Sequence, residues 1–381
     1  MNKKIVKEVR PDPQVQIRLP DGRVLSGPRG TTIGNFLLTL PEWEENPLMG
    51  AVVNGTLREL TYPVEMEANV LPLTMADNDG ARIYRRSLTF VLEAAFEELF
   101  PGKYLSVDHA VSSGGYYCEL KNSEQLTANQ VQALEDHMKA IVSKDIPLTR
   151  KQVPLQEAIA YFANKGQTDK VLLLKYRKKD YLILYALGNH LDYFHGYMVP
   201  STGFLRWFDL VPADGGFILH FTRRNQPTVL QPLTYSQRLL STFRQYGSWL
   251  TRLGIENVGA LNKSIETGKI REVILVSEAL HEQKIAEIAT QIVNRKPRPH
   301  LMLISGPSSS GKTTFSKRLS IQLLAQGISP FPFEMDNYFV NRDETPKNEN
   351  GQFDFEALQA LNLPLMAEHL KLLISGEEVQ L

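Results

Sequence analysis

Apolar and polar residues alternate from Val15 through Val-Gln-Ile-Arg-Leu-Pro-Asp-Gly-Arg-Val-Leu, and the alternation turns at Asp21-Gly22. That spacing predicts a β-hairpin. Thr31 to Leu38 then reads as a short capped helix, and Gly50 to Leu57 as a second hairpin with an Asn54-Gly55 turn, so a compact β-rich module is expected to close near Thr74. From Ser87 to Phe100 the period changes: Leu88, Val91, Leu92, Ala95, Phe96 and Leu99 fall on one face of a helix. Strands are predicted at Val171 to Tyr176 and Tyr181 to Leu187, followed by a turn-rich stretch at Val199-Pro200-Ser201-Thr202-Gly203, with a boundary near Arg224. Tyr235 to Leu253 and Ser277 to Arg295 read as helices, the second with Ile285, Ile288, Ile292 and Val293 on one side. Pro297 and Pro299 mark a further boundary. After them the continuous apolar run Leu301 to Ile304 predicts a strand buried on both faces. Phe315, Leu319 and Leu323 predict a helix that Gly327 stops.

At 381 residues the chain exceeds what one core supports, so several domains are expected. Lys plus Arg and Asp plus Glu are equal at 42 each, which leaves no global field to hold nucleic acid or an anionic membrane. The charged stretch Met1 to Gln14 has no apolar core of a leader, and no later apolar run approaches the roughly 20 residues that span a bilayer. A cytoplasmic protein without membrane contact is the expectation. The single cysteine, Cys118, excludes an internal disulfide, and its place in Tyr116-Tyr117-Cys118-Glu119-Leu120 reads as a small core position on a strand.

The sharpest chemistry lies in Gly306-Pro307-Ser308-Ser309-Ser310-Gly311-Lys312-Thr313-Thr314, a G-x-x-x-x-G-K-T loop between the strand and helix patterns. Such a loop turns backbone N–H groups toward a polyphosphate at a helix N-terminus. Lys312 then reaches the terminal phosphates and Thr313 offers a hydroxyl to Mg²⁺, so ATP and Mg²⁺ are the expected cofactors. Asp336 follows the next strand candidate and is positioned to accept a proton from an attacking hydroxyl.

The order Leu19-Pro20-Asp21-Gly22, Val53-Asn54-Gly55, Leu60-Thr61-Tyr62-Pro63, Tyr84-Arg85-Arg86-Ser87 and Gly196-Tyr197-Met198-Val199-Pro200-Ser201-Thr202-Gly203 resembles the N-terminal half of threonyl-tRNA synthetase. The resemblance covers residues 14 to 225 and implies a β-grasp TGS domain followed by an α+β tRNA-editing domain. The family builds its editing centre from a His-x-x-x-His and a Cys-x-x-x-His pair. Here those four positions hold Arg86, Phe90, Phe194 and Met198, so the domain is expected to be hydrolytically degenerate. His190 and His195 are the nearest substitutes and read as solvated turn residues.

The C-terminal part is similar to uridine kinases and phosphoribulokinases through the loop, Met335-Asp336-Asn337-Tyr338-Phe339 and Gly351-Gln352-Phe353-Asp354-Phe355. That resemblance implies Asp336 and Lys312 as catalytic residues, Asp354 on the sugar hydroxyls, and Phe339 and Phe353 as pocket walls. It also implies that a kinase would continue past Leu381, so an incomplete P-loop α/β kinase domain is expected, with open strand edges that invite homo-oligomerisation.

The predicted organisation is a tail (1–13), a TGS-like domain (14–75), an editing-like domain (80–225), a helical connector (231–297) and the kinase-like part (298–381). The predicted function is an ATP-dependent kinase of a nucleoside, uridine or cytidine, at its 5′-hydroxyl. A kinase of another small alcohol, and a nucleotide-gated RNA- or ribosome-associated binding protein, are the alternatives. Arg85, Arg86, Lys175, Arg177, Lys178 and Lys179 are the basic residues that RNA binding would use.

Overall fold

A computed structural model describes residues 13–43, 45–121, 123–307, 309–348 and 351–380. The chain divides into two compact units, Met1–Glu266 and Thr267–Leu381. The unit boundary falls inside the predicted 231–297 connector.

In the first unit, β1 (Gln14–Arg18) and β2 (Val24–Pro28) form the expected hairpin, with Gly22 at φ 88° in the turn. Thr32 caps α1 (Ile33–Leu37) by accepting from the Asn35 amide at 3.3 Å. The second hairpin joins β3 (Leu48–Val53) and β4 (Thr56–Arg58) through Asn54 and Gly55, both at positive φ. With β5 (Ala68–Thr74) they complete a mixed sheet of order β2-β1-β5-β3-β4, in which β1 and β5 run parallel. Ile17, Ile33, Leu37, Leu48, Ala51 and Leu60 are buried together between this sheet and its loops.

Next comes α2 (Asn78–Leu99), which starts nine residues before the predicted helix because Ile83 and Tyr84 extend the same buried face one turn upstream. Leu99, predicted on that face, is exposed at the helix end. A four-stranded antiparallel sheet follows, of order β11-β12-β7-β6, from β6 (Tyr104–Val111), β7 (Gly115–Lys121), β11 (Phe208–Ala213) and β12 (Gly216–Phe221). Cys118 is fully buried on β7, and burial raises its thiol well above the usual range, so it is inert core. A second, three-stranded sheet of order β10-β9-β8 holds β8 (Thr149–Pro154), β9 (Tyr181–Leu187) and β10 (His190–Asp192).

The unit's remaining helices are α3 (Ala128–Ser143), α4 (Leu155–Asn164), α5 (Thr168–Leu174), α6 (Gln237–Arg252) and α7 (Val258–Glu266). The strand predicted at Val171 to Tyr176 is therefore a helix. A short apolar run carries no period that separates the two, and here Leu174 buries itself with Phe162, Leu182 and Leu184 while Val171, one turn back, packs on the same cluster.

The second unit contains α8 (Ile270–Asn294), α9 (Lys312–Ala325) and α10 (Leu363–Ser375). Ile285 and Ala289 of α8 meet Leu319 and Leu323 of α9 in a small core, so the α9 pattern is as predicted. The α/β sheet is not. Leu301 to Ile304 and the segment before Asp336 form no strand, Leu303 is 84% exposed, and only isolated bridges such as Phe339 to Leu361 occur among the described residues. An apolar run becomes a parallel strand only when neighbouring strands take its N–H and C=O groups. None does so here, which corrects the expected P-loop α/β architecture. Among the described residues no helix is long and apolar enough to cross a membrane.

Candidate functional site

Arg86, Phe90, Glu93 and Glu97 recur along α2 at spacings of four, three and four residues, so one helical face presents all of them. β10 and the loop after it pack on this face. Phe90 is fully buried, and its ring lies 5.1 Å from that of His190 and 5.7 Å, edge-on, from that of Phe194. Met198 is buried beside them. Arg86 Nη1 donates to the Tyr197 carbonyl at 2.6 Å, and burial lowers the guanidinium's affinity for its proton. Gly196 is required there: its φ is 109°, and a Cβ would lie 2.6 Å from Arg86 Cζ. Ser87 Oγ, in turn, accepts from the Val199 amide at 3.0 Å. The four positions expected of an editing centre are thus brought together, with Phe90 and Met198 buried and Arg86 and Phe194 half-buried, and none of these four side chains is a general base near neutral pH.

One turn along α2 the chemistry changes. His190 Nδ1 lies 2.6 Å from Glu97 Oε2, and Lys165 Nζ is 2.6 Å from Glu97 Oε1. Asp192 is buried and pairs with Lys170. Burial, followed by the Asp192 charge, pushes Glu93 up to about 8. Burial also lowers His190, against its hydrogen bond to Glu97. For Glu97, burial, which raises the carboxyl, is outweighed by the hydrogen bonds from Lys165 and His190. Sequence reading placed His190 in a solvated turn, whereas it sits buried on β10; His195 is exposed as expected. Glu93 and Glu97 were missed, although their spacing from Arg86 and Phe90 was a signal.

A raised carboxyl pKa means that the folded state holds the proton more tightly than the unfolded chain. Its contribution is whole below the ordinary 4.5 and is lost as pH rises toward 8. His190 acts in the other direction, costing stability only as pH falls below its ordinary 6.5. Between pH 6.5 and 8.5 the urea midpoint should therefore fall for the native chain and stay nearly level for Glu93→Gln. Parallel slopes would contradict the burial of Glu93.

Among the residues of the predicted phosphate loop, Ser308 lies outside the described ones. Gly306, Ser309, Ser310 and Gly311 are exposed, as are Thr313 and Thr314 at the start of α9. Ser309 and Gly311 have positive φ, and Lys312 Nζ donates to the carbonyls of Gly306 (2.8 Å) and Pro307 (3.0 Å). Asp336 is exposed on a 3₁₀ turn, Met335–Tyr338, rather than at a strand end. Asp354 accepts from the Glu356 amide at 3.1 Å, and Phe339 is exposed. Phe353 lies under Arg342 and Lys347. No hydrogen bond or ion pair among the described residues links Asp336 or Asp354 to the loop.

No protein-family model matches the chain. Among curated proteins it is similar to threonine–tRNA ligases: 30% identical over 204 residues to that of Symbiobacterium thermophilum, covering 53% of this chain and 31% of the ligase. The enzyme of Desulforamulus reducens is 30% identical over 204 residues (53% and 32%), and threonine–tRNA ligase 2 of Bacillus subtilis 28% over 204 residues (53% and 32%). The chain spans about a third of the length of these relatives. A threonyl-tRNA synthetase-like region is therefore present. The same finding corrects the predicted function: the curated relatives are tRNA ligases, and neither a uridine or cytidine kinase nor a kinase of another small alcohol is supported.

Proposed function

We propose that residues 14–225, as a TGS-like module (14–75) and an editing-like module (80–225), bind the acceptor end of a tRNA without hydrolysing an aminoacyl ester. The observation that supports this reading is that Phe90 and Met198 are buried, Phe194 packs edge-on against Phe90 and Arg86 is tied to the Tyr197 carbonyl, so none of these four side chains can activate water. Two surfaces suit RNA. A groove of about 890 Å³ is lined by Trp43 and Leu40 on one side and by Phe204 and Trp207 on the other, with Lys139, which pairs with Glu135, Arg206, which donates to the Gly203 carbonyl, and Asp145 at its edge, and its aromatic planes suit stacking of unpaired nucleotides. Lys175, Lys178 and Lys179 are exposed after α5, whereas Arg85, Arg86 and Arg177 donate to backbone carbonyls of their own domain.

Binding of threonine tRNA to the full chain should weaken steeply with salt, and Lys175→Glu with Lys178→Glu should reduce the logarithmic salt slope by about 1 for each phosphate no longer neutralised. Serine release from mischarged threonine tRNA should not exceed the buffer rate. Release that disappears on mutating His190 or His195 would overturn the reading.

The second unit supports a separate reading of Gly306–Thr314 as a polyphosphate site for ATP and Mg²⁺, favoured by the positive φ of Ser309 and Gly311 at the N-terminus of α9. Lys312→Ala and Thr313→Ala should each weaken Mg-ATP binding in calorimetry. Unchanged affinity in both would remove this reading.

A further inference from the structure

Glu93, His190 and Asp192 each offer a ligand atom, and the three atoms lie within 4.8 Å of one another. Among the described residues no other such group of His, Cys, Asp and Glu occurs. We propose that these three side chains form a binding site for a transition-metal dication of the zinc class, held between α2 and β10.

Three features of the geometry support it. First, His190 is more than nine-tenths buried. Its Nδ1 is fixed on Glu97 at 2.6 Å, and Nε2 is buried with no hydrogen-bond partner. A carboxylate on one ring nitrogen that leaves the other with an open lone pair is the usual outer-shell arrangement of a metal-binding histidine. An imidazole nitrogen buried without a partner is otherwise costly. Second, the donor set of one imidazole and two carboxylates suits zinc, with bonds of about 2.0–2.2 Å, so atoms no more than 4.8 Å apart need to close by under about an ångström each. Third, Lys170 already places a cation on buried Asp192. A dication would take over that charge and release the lysine.

The site is distinct from Arg86, Phe90, Phe194 and Met198, none of which supplies a ligand, and it stands or falls independently of RNA binding. Its place one turn beyond Phe90 gives the ion the role of tying α2 to β10.

The test uses the full chain, stripped with a chelator and titrated with Co²⁺ by absorption, then with Zn²⁺ in competition. One equivalent of Co²⁺ should bind saturably and be displaced by Zn²⁺. Glu93→Gln should weaken binding at least about tenfold and Glu97→Gln by about 10–100-fold, as expected for a missing ligand and a missing outer-shell partner. Lys170→Gln should tighten it. Asp192→Asn should also weaken it, but this variant removes a buried charge, so Glu93→Gln and Glu97→Gln decide if it does not fold. Absence of saturable Co²⁺ binding at millimolar concentration overturns the proposal. So does an affinity unchanged in Glu93→Gln and Glu97→Gln, which would place the ion on other histidines, or one weakened in Lys170→Gln.

Discussion

Gly216→Ala should destabilise the first unit by about 3 kcal/mol or more, lowering its melting temperature on the order of 6–12 °C. Gly216 opens β12 directly after Gly215, whose φ of 70° turns the chain out of β11. A Cβ at position 216 would stand 2.1 Å from the Cys118 carbonyl oxygen and 3.0 Å from the Tyr117 hydroxyl. Neither neighbour can withdraw cheaply. The carbonyl belongs to β7, which pairs with β12 from Phe217 to His220, and the Tyr117 hydroxyl donates to the Asp214 carbonyl at 2.9 Å. The methyl group therefore has to push the two central strands of the four-stranded sheet apart. Gly247→Ala is the control: a Cβ there meets nothing within 4 Å in the interior of α6, so the change should stabilise by about 0.5–1 kcal/mol. A Gly216→Ala melting temperature within about a degree of the native value would mean that β7 and β12 are not packed as described.

Phe90→Ala should cost about 3–5 kcal/mol, the range for removing a fully buried aromatic ring. Its side chain fills the space between α2 and the loop after β10, against the rings of His190 and Phe194. Deleting it opens a cavity beside an imidazole whose Nε2 has no partner. Phe194→Ala should cost less, because that ring is only partly buried. The comparison bears on function, since a catalytic position lining a water-filled pocket tolerates truncation and a core position does not. A loss below about 1 kcal/mol for Phe90→Ala, read from urea midpoints, would show that the pocket is open and would remove the main support for a scaffold without hydrolysis.

Local chemistry made much of the first unit legible. Asp21-Gly22 and Asn54-Gly55 each supply the left-handed backbone that a tight hairpin needs, and Thr32 supplies a cap, so those elements required no knowledge of their neighbours. The 3.6-residue period of Leu88, Val91, Leu92, Ala95 and Phe96 identified the buried face of α2 in the same way. That Arg86, Phe90, Phe194 and Met198 are themselves neither metal ligands nor general bases was also legible, because it is a statement of side-chain chemistry. The similarity to threonine–tRNA ligases over 204 residues agrees with a threonyl-tRNA synthetase-like region.

Elsewhere the deciding partners lie far along the chain. Val171 to Leu174 and Leu301 to Ile304 are both short apolar runs. The first becomes helix because Phe162, Leu182 and Leu184 receive one face of it, and the second forms no strand because no described strand lies beside it. His190 reads by composition as a polar turn residue, yet pairing of β10 with β9 buries it, with Asp192, against a helix about a hundred residues earlier. The sequence by itself determined the turns, the caps, the helical face and the chemistry of the side chains at Arg86, Phe90, Phe194 and Met198, all of which depend on backbone preference and residue type within a few positions. Only the tertiary structure decided that Glu93, Glu97, Lys170, His190 and Asp192 share one buried cluster, because charge burial and proton affinity follow from the distance between side chains in space.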